Sequence, residues 1–302
     1  MKKDSLIITA SVMLLMVMDC GRTNPASPAM SDEEAVKLLL SSSGYADCSD
    51  YADDGLAGFP LPGAKVDSFP GGIYFLRRIE NRWSQALIGF DPGRTSAWAE
   101  VRAGSQGRLV LDNNSDGVCD TFWHPVNDQG QRNVAFRKSG GRWQVYGASP
   151  MAVQTVLALD PVLIDSLRTE GSSGLRTRAV YRREDQGRVW PREEMPAFSP
   201  GAVITITVWG GPAGGSDSCW AFVHRRLLQD GLEAHLRLPM VRQEGRAFSF
   251  SWIAEPAAGP AVRQAAVNLV LGSALFGDST GKYSACIWTV PYIITDSDSL
   301  PQ

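Results

Sequence analysis

The sequence predicts an α+β region followed by an all-β region, and three observations carry that reading. A single capped helix signal lies near the start, at Ser31-Asp32-Glu33-Glu34. From Ile73 onward the apolar pattern alternates with period two, and Gly, Pro or Asn clusters end each run. The chain has 30 Gly and 18 Pro among 302 residues, which fits many strands joined by turns.

Each element has its own signal. Ser31 can cap the Glu34 amide while Glu34 reaches back, and the helix runs through Leu38, Leu39 and Leu40 to a stop before Gly44. The acidic stretch 45–55 reads as a second short helix or a loop, and Phe59-Pro60-Leu61-Pro62-Gly63 is a break. Residues 73–79 read as a strand or a helix, and strands are expected over 84–90, 96–102 and 108–111. Asn133–Arg137 and Arg142–Gly147 form a hairpin around Ser139-Gly140-Gly141, and 156–164 is a further strand or a linker. In the second half, strands are expected over 203–209, 219–228, 232–242, 247–253, 262–271 and 283–295.

This order divides the chain into a signal segment at 1–19, a tether at 20–30 and an α+β domain at 31–165. A linker and boundary at 166–200 and a β-sandwich domain at 201–296 complete it. Hydrophobic residues make up 44% of the chain, enough for a sizeable core. With 20% charged residues and a net charge of -3, the chain lacks the concentrated basic face that nucleic acid requires.

Lys2 and Lys3 precede the apolar run Leu6–Met18, which has the anatomy of an export signal. The run falls short of the ~20 apolar residues of a membrane span. The cysteine that follows, Cys20, resembles the lipid-attachment cysteine of bacterial lipoproteins, although Asp19 stands where that family places a small residue. The resemblance implies an exported protein at the periplasmic, outer-membrane or cell surface, held to the membrane by a lipid. With Cys20 set aside, Cys48, Cys119, Cys219 and Cys286 remain, an even number suited to an oxidising compartment. The spacing points to Cys48–Cys119 and Cys219–Cys286, with four buried free thiols as the alternative.

Two further resemblances bear on fold. The helix, the long strands and the closing stretch with Phe136, Trp143 and Gly147 make 31–155 resemble the NTF2-like family, a curved sheet wrapped around helices. The strand spacing over 176–295 resembles an immunoglobulin-like β-sandwich, in which Cys219 and Cys286 would form an inter-sheet bridge. Trp220, Trp252 and Trp288 read as core.

Two motifs could hold a ligand. Asp112-Asn113-Asn114-Ser115-Asp116-Gly117-Val118-Cys119-Asp120 resembles the calcium loops of dockerins, EF-hands and thrombospondin-type repeats. Asp112, Asn114, Asp116, Asp120 and the Val118 carbonyl would supply oxygen ligands, and Gly117 the sharp turn. Trp123 occupies the position of the bidentate Glu, so the alternative is a polar hairpin turn. The second motif is the hairpin around Asp230-Gly231, a type I′ turn signal. A two-residue loop places Arg226 opposite His235 and His224 opposite Arg237, all on one face. That face could take a small anionic ligand or an acidic partner; the alternative is an ordinary exposed polar face.

Catalytic signatures are absent. Ser216-Asp217-Ser218 has no nucleophile-elbow pattern, and Gly210–Gly215 lacks the Lys-Ser/Thr ending of a phosphate loop. His124 beside Asp120 is a lone loop histidine, and Asp53-Asp54 and Glu193-Glu194 are adjacent pairs that point apart. The expectation is a non-catalytic binding or assembly module of the cell envelope with no cofactor beyond structural calcium. Its partner would be an envelope protein or a small ligand. The alternative is an envelope enzyme or a carbohydrate-binding protein with a pocket in the first domain.

Overall fold

The computed structural model describes residues 30–43, 73–113, 120–215, 218–229, 232–255, 261–276 and 281–296, with backbone alone at 73–74, 112–113, 120–121, 226–229 and 232–235. The expected signal segment, most of the tether, Cys20, Cys48, Cys119, and the loop residues Asn114, Asp116 and Val118 lie outside the described residues.

Among these residues the protein is mostly β. The elements are α1 (Asp32–Ser42), β1 (Ile73–Phe90), β2 (Ser96–Asn113), β3 (Asp120–Ser139), β4 (Arg142–Ala148), β5 (Met151–Thr155), β6 (Val162–Gly171) and β7 (Arg178–Arg182). They continue with β8 (Trp190–Pro191), β9 (Ala197–Phe198), β10 (Val203–Pro212), β11 (Cys219–Gln229), β12 (Leu232–Pro239), β13 (Val241–Arg242), β14 (Ala247–Ile253), β15 (Ala261–Leu271), α2 (Gly272–Phe276) and β16 (Ala285–Ile294).

Two sheets result. The larger follows the path β1-β2-β3-β5-β16-β15-β11-β12, with β4, β8 and β9 attached beside it; the smaller runs β13-β14-β10-β6-β7. The expected two-sheet β arrangement therefore holds in its coarse form. The expected boundary at 166–200 is not a break in the pairing. Met151 to Gln154 of β5 pair with Thr289 to Cys286 of β16, so strands from both halves share one sheet. The segment itself carries the end of β6, all of β7, and β8 and β9. Its arginines pair with Glu170: Arg168 along the same strand at 3.1 Å, and Arg178 across the β6–β7 pair at 3.5 Å. An NTF2-like first domain is not shown; the strands of 73–155 continue through β5 into β16 and β15 in one sheet.

The layering follows from strand alternation. Ala221 and Val223 of β11, Val267 and Leu269 of β15, and Trp288 and Val290 of β16 point one way. They form one core with Ile204, Ile206 and Val208 of β10 and Ile164 and Leu167 of β6. The opposite face of the large sheet curls inward until its two ends meet. There Arg237 of β12 lies 3.7 Å over the Phe75 ring of β1 and donates through Nη2 to the Phe75 carbonyl. Helix α1 covers one end of this inner face, burying Val36 against Ala97, Ala99, Val134, Phe136 and Ile293. Its Asp32 carboxylate accepts from Lys138 Nζ (2.7 Å) and Trp143 Nε1 (2.8 Å), which ties the helix to β3 and β4.

No disulfide joins Cys219 and Cys286; both are buried free thiols. They lie on β11 and β16, which flank β15 in the same sheet, with Cys219 opposite Leu271 and Cys286 opposite Leu269. Neighbouring strands are about 4.8 Å apart and the two cysteines are also offset by two residues along β15, so their Cα atoms are ~12 Å apart, beyond the ~7 Å limit of a disulfide. The expected inter-sheet bridge needed these strands in different sheets.

Candidate functional site: two faces of one sheet

On the inner face, directly opposed residues form a row across seven strands: Ala103, Gly130, Val153, Ile287, Asn268, Phe222 and Pro239. Beside this row lies a buried polar network. Arg77 Nη1 is 3.2 Å from Asp128 Oδ2, and both side chains are fully enclosed. Asp128 also accepts from Tyr283 Oη (3.0 Å) and Thr155 Oγ1 (2.8 Å), and the Ala285 amide donates to Thr155 Oγ1. Burial pushes the Asp128 carboxyl above the usual carboxylate range, against the pull of Arg77, Thr155 and Tyr283. Arg77, Asp128, Thr155 and Tyr283 are turned on one another, and the network joins β1, β3, β5 and the entry to β16.

The anionic-ligand motif falls on this same inner face. Its register is as expected: His224 pairs with Arg237, Arg226 with His235 and Gln229 with Leu232. The face is not open, however. His224 is fully buried, and Arg237 is held by Phe75. The side chains of Arg226 and His235 lie outside the described residues. Polar alternation misled because both faces of β11 are covered: on its other side Arg225 pairs with Glu255 at 2.7 Å and lies 4.6 Å over Trp252. His124 is likewise buried on the inner face, with its ring edge-on to Phe122 at 5.6 Å. At the two ends of the calcium motif the backbone pairs Asp112 with Thr121 and Asn113 with Asp120; the residues between lie outside the described ones. Among the described residues no cluster of three or more His, Cys, Asp or Glu could hold a metal ion.

The outer face of β1, β2 and β3 is different. Where the small sheet stops covering the large one, a cleft of about 500 Å³ opens. Its floor is Gln129, Gly130 and Gln131 of β3 with Ala152 and Gln154 of β5; Trp83 and Arg102 form one wall, Gln186 and Gly187 the other. The register aligns them, since Trp83 faces Gly104, Gly104 faces Gln129, and Gln129 faces Gln154. Gly104 lets the Trp83 indole lie flat on the strand: a Cβ there would approach the ring to 2.5 Å. The second wall is fixed by Asn133 Nδ2, which donates to the Gly187 carbonyl at 2.8 Å, and Gly187 itself turns at φ 83°. Arg102 is braced by Glu100, at 2.6 Å from Nε to Oε1.

The cleft thus combines four primary amides, one guanidinium, one indole face and backbone. These groups donate and accept hydrogen bonds and stack; neutral amides do not exchange protons near neutral pH. Sequence reading passed over every residue of this lining. Trp83 and Gln129 are 46 positions apart, and only strand register brings them together. Compared with protein-family models, with curated proteins and with solved structures, the chain matches none.

Proposed function

We propose that the protein is an exported, lipid-anchored, non-catalytic binding module of the cell envelope, and that its ligand is a carbohydrate held in the Trp83 cleft. The observation that carries this reading is the lining of that cleft. Sugars present a C–H face, which stacks on an exposed indole, and a rim of hydroxyl and acetamido groups, which both donate and accept. Glutamine amides match such a rim because each offers two donors and an acceptor. Arg102 adds a charge-assisted donor. Amide groups on the ligand would pair with amides of the cleft, so N-acetylated sugars are the favoured class.

Titration of the protein with chitobiose, followed by tryptophan fluorescence, tests the reading. Trp83→Ala is expected to weaken binding by ~1–3 kcal/mol, the worth of one aromatic stacking platform. Unchanged affinity in this variant would remove the cleft from consideration. The anchor has its own test: the mature protein from native membranes should carry a diacyl or triacyl mass beginning at Cys20.

A single observation favours a second reading, docking of a protein partner. Residues 81–87 of β1 are exposed without interruption, and among the described residues β1 ends the sheet path, paired with β2 alone. Such an edge can accept a strand from another chain. Ser84→Pro would then block the partner and leave chitobiose binding intact.

A further inference from the structure

Trp83 is not the only indole on this face. Trp98 of β2 lies over Gly89 of β1, where a Cβ would come within 2.5 Å of the ring. Trp123 of β3 faces Val110 of β2, with Arg108 stacked 4.7 Å from its ring. All three indoles share the outer face. Even-numbered residues of β2 point outward there, while Ala97, Ala99, Val101, Ala103 and Leu109 point inward. Measured along β2, the three rings fall at positions 98, 104 and 110, in equal steps. Each step is about 20 Å and the whole line ~40 Å at the usual strand rise. Their exposures are 50%, 38% and 51%.

The spaces between the rings are polar. Glu100, Arg102, Gln106 and Arg108 alternate outward along β2 with both signs of charge. The face is therefore not a continuous apolar patch of the kind that seats a lipid surface or the core of a protein interface. An evenly spaced series of flat rings on a hydrated, charge-balanced ribbon matches a repeating, uncharged or weakly charged chain. We infer that the ligand is an extended glycan polymer laid along β2 across Trp98, Trp83 and Trp123, with the cleft as its central subsite. This inference rests on the carbohydrate reading above and adds chain length and direction to it.

The test compares soluble N-acetylated glycan strands, freed of peptide, with chitobiose as the short probe. Wild-type protein should bind the strands on the order of tenfold or more tighter than chitobiose, because the outer indoles engage one tethered chain. Trp98→Ala and Trp123→Ala should each lower affinity for the strands and leave chitobiose affinity unchanged, whereas Trp83→Ala should lower both. Trp98→Phe keeps a ring on Gly89, so it guards against a folding defect and should retain part of the gain. Equal affinity for strand and disaccharide, or no effect of the outer substitutions on strand binding, overturns the polymer inference while leaving the cleft as a short-saccharide site. Failure of both probes to bind overturns the carbohydrate reading and the polymer inference with it.

Discussion

The inner and outer faces of β1, β2 and β3 are built from the same strands and draw on the same residue types, yet they behave as opposites. Inside, Arg77, Asp128, Thr155 and Tyr283 are closed on one another. Outside, Trp83, Gln129, Gln131 and Gln154 line open space. Charge and polarity alone therefore say little about which face binds. What separates them is enclosure: inside, polar side chains are sealed among their neighbours, and outside they meet open space, with strand parity deciding which side each residue takes.

The largest expected effect lies on the inner face. Asp128→Ala leaves the Arg77 guanidinium buried beside a void, and loss of one partner of an enclosed ion pair costs about 3–5 kcal/mol. Urea unfolding should show that loss. The double variant Arg77→Met, Asp128→Leu should recover much of it, since removing both charges removes the unpaired one. Chitobiose affinity in variants that remain folded should match wild type. A stable Asp128→Ala variant with altered ligand affinity would erase the division between the faces and move the binding site inward.

The covered outer surface sharpens the contrast with the open one. Where the small sheet lies over β15 and β16, Cys286 is sealed, and burial pushes its thiol up to about 12. Thiolate is the reactive form, so Cys286 should resist alkylation at pH 8 until the protein unfolds. Cys219, also enclosed, should label with it on unfolding. Mass spectrometry after native and denaturing alkylation reads this directly. Rapid native labelling of Cys286 would mean that the small sheet opens, and the cleft at its margin would then be wider than described.

Much of the fold is legible in the sequence, and the failures have physical causes. The Asp230-Gly231 signal places His224 opposite Arg237 because a two-residue turn leaves no freedom of register. The expected helix and α1 agree for the same kind of reason, since its signals are local. The first half of β3 was missed: Pro125 and the polar run to Asn133 look like loop. Yet Pro125 lies where β3 is paired on one side only, opposite Arg108, so its absent N–H costs no ladder bond on the other. Non-local pairing is what sequence leaves unsaid. The β5–β16 pairing puts strands from both expected regions in one sheet, and the register shift between Ile79 and Asn81 sets which residues of β1 face outward. Without that shift Trp83 would not stand opposite Gly104. The line of indoles is thus present in the sequence as three scattered tryptophans and becomes a line only through pairing.

The smallest effect concerns the end of the inner face, which α1 covers. Hydrogen bonds from Lys138 and Trp143 hold the Asp32 carboxyl below its ordinary value of 3.8. A carboxyl lowered by folding binds its proton more weakly in the folded state than in the unfolded one. Its contribution is therefore complete above the unfolded value and fades as pH falls through the folded one. Wild-type protein should keep α1 docked at neutral pH and loosen it below about pH 4, seen as faster amide exchange at Val36 and Leu39. Asp32→Asn should show the looser exchange at neutral pH and little further change on acidification, because no carboxylate is left to protonate. Chitobiose binding should be insensitive to both, since the cleft lies on the opposite face. Coupled loss of helix docking and ligand binding on acidification would instead make the two faces one mechanical unit.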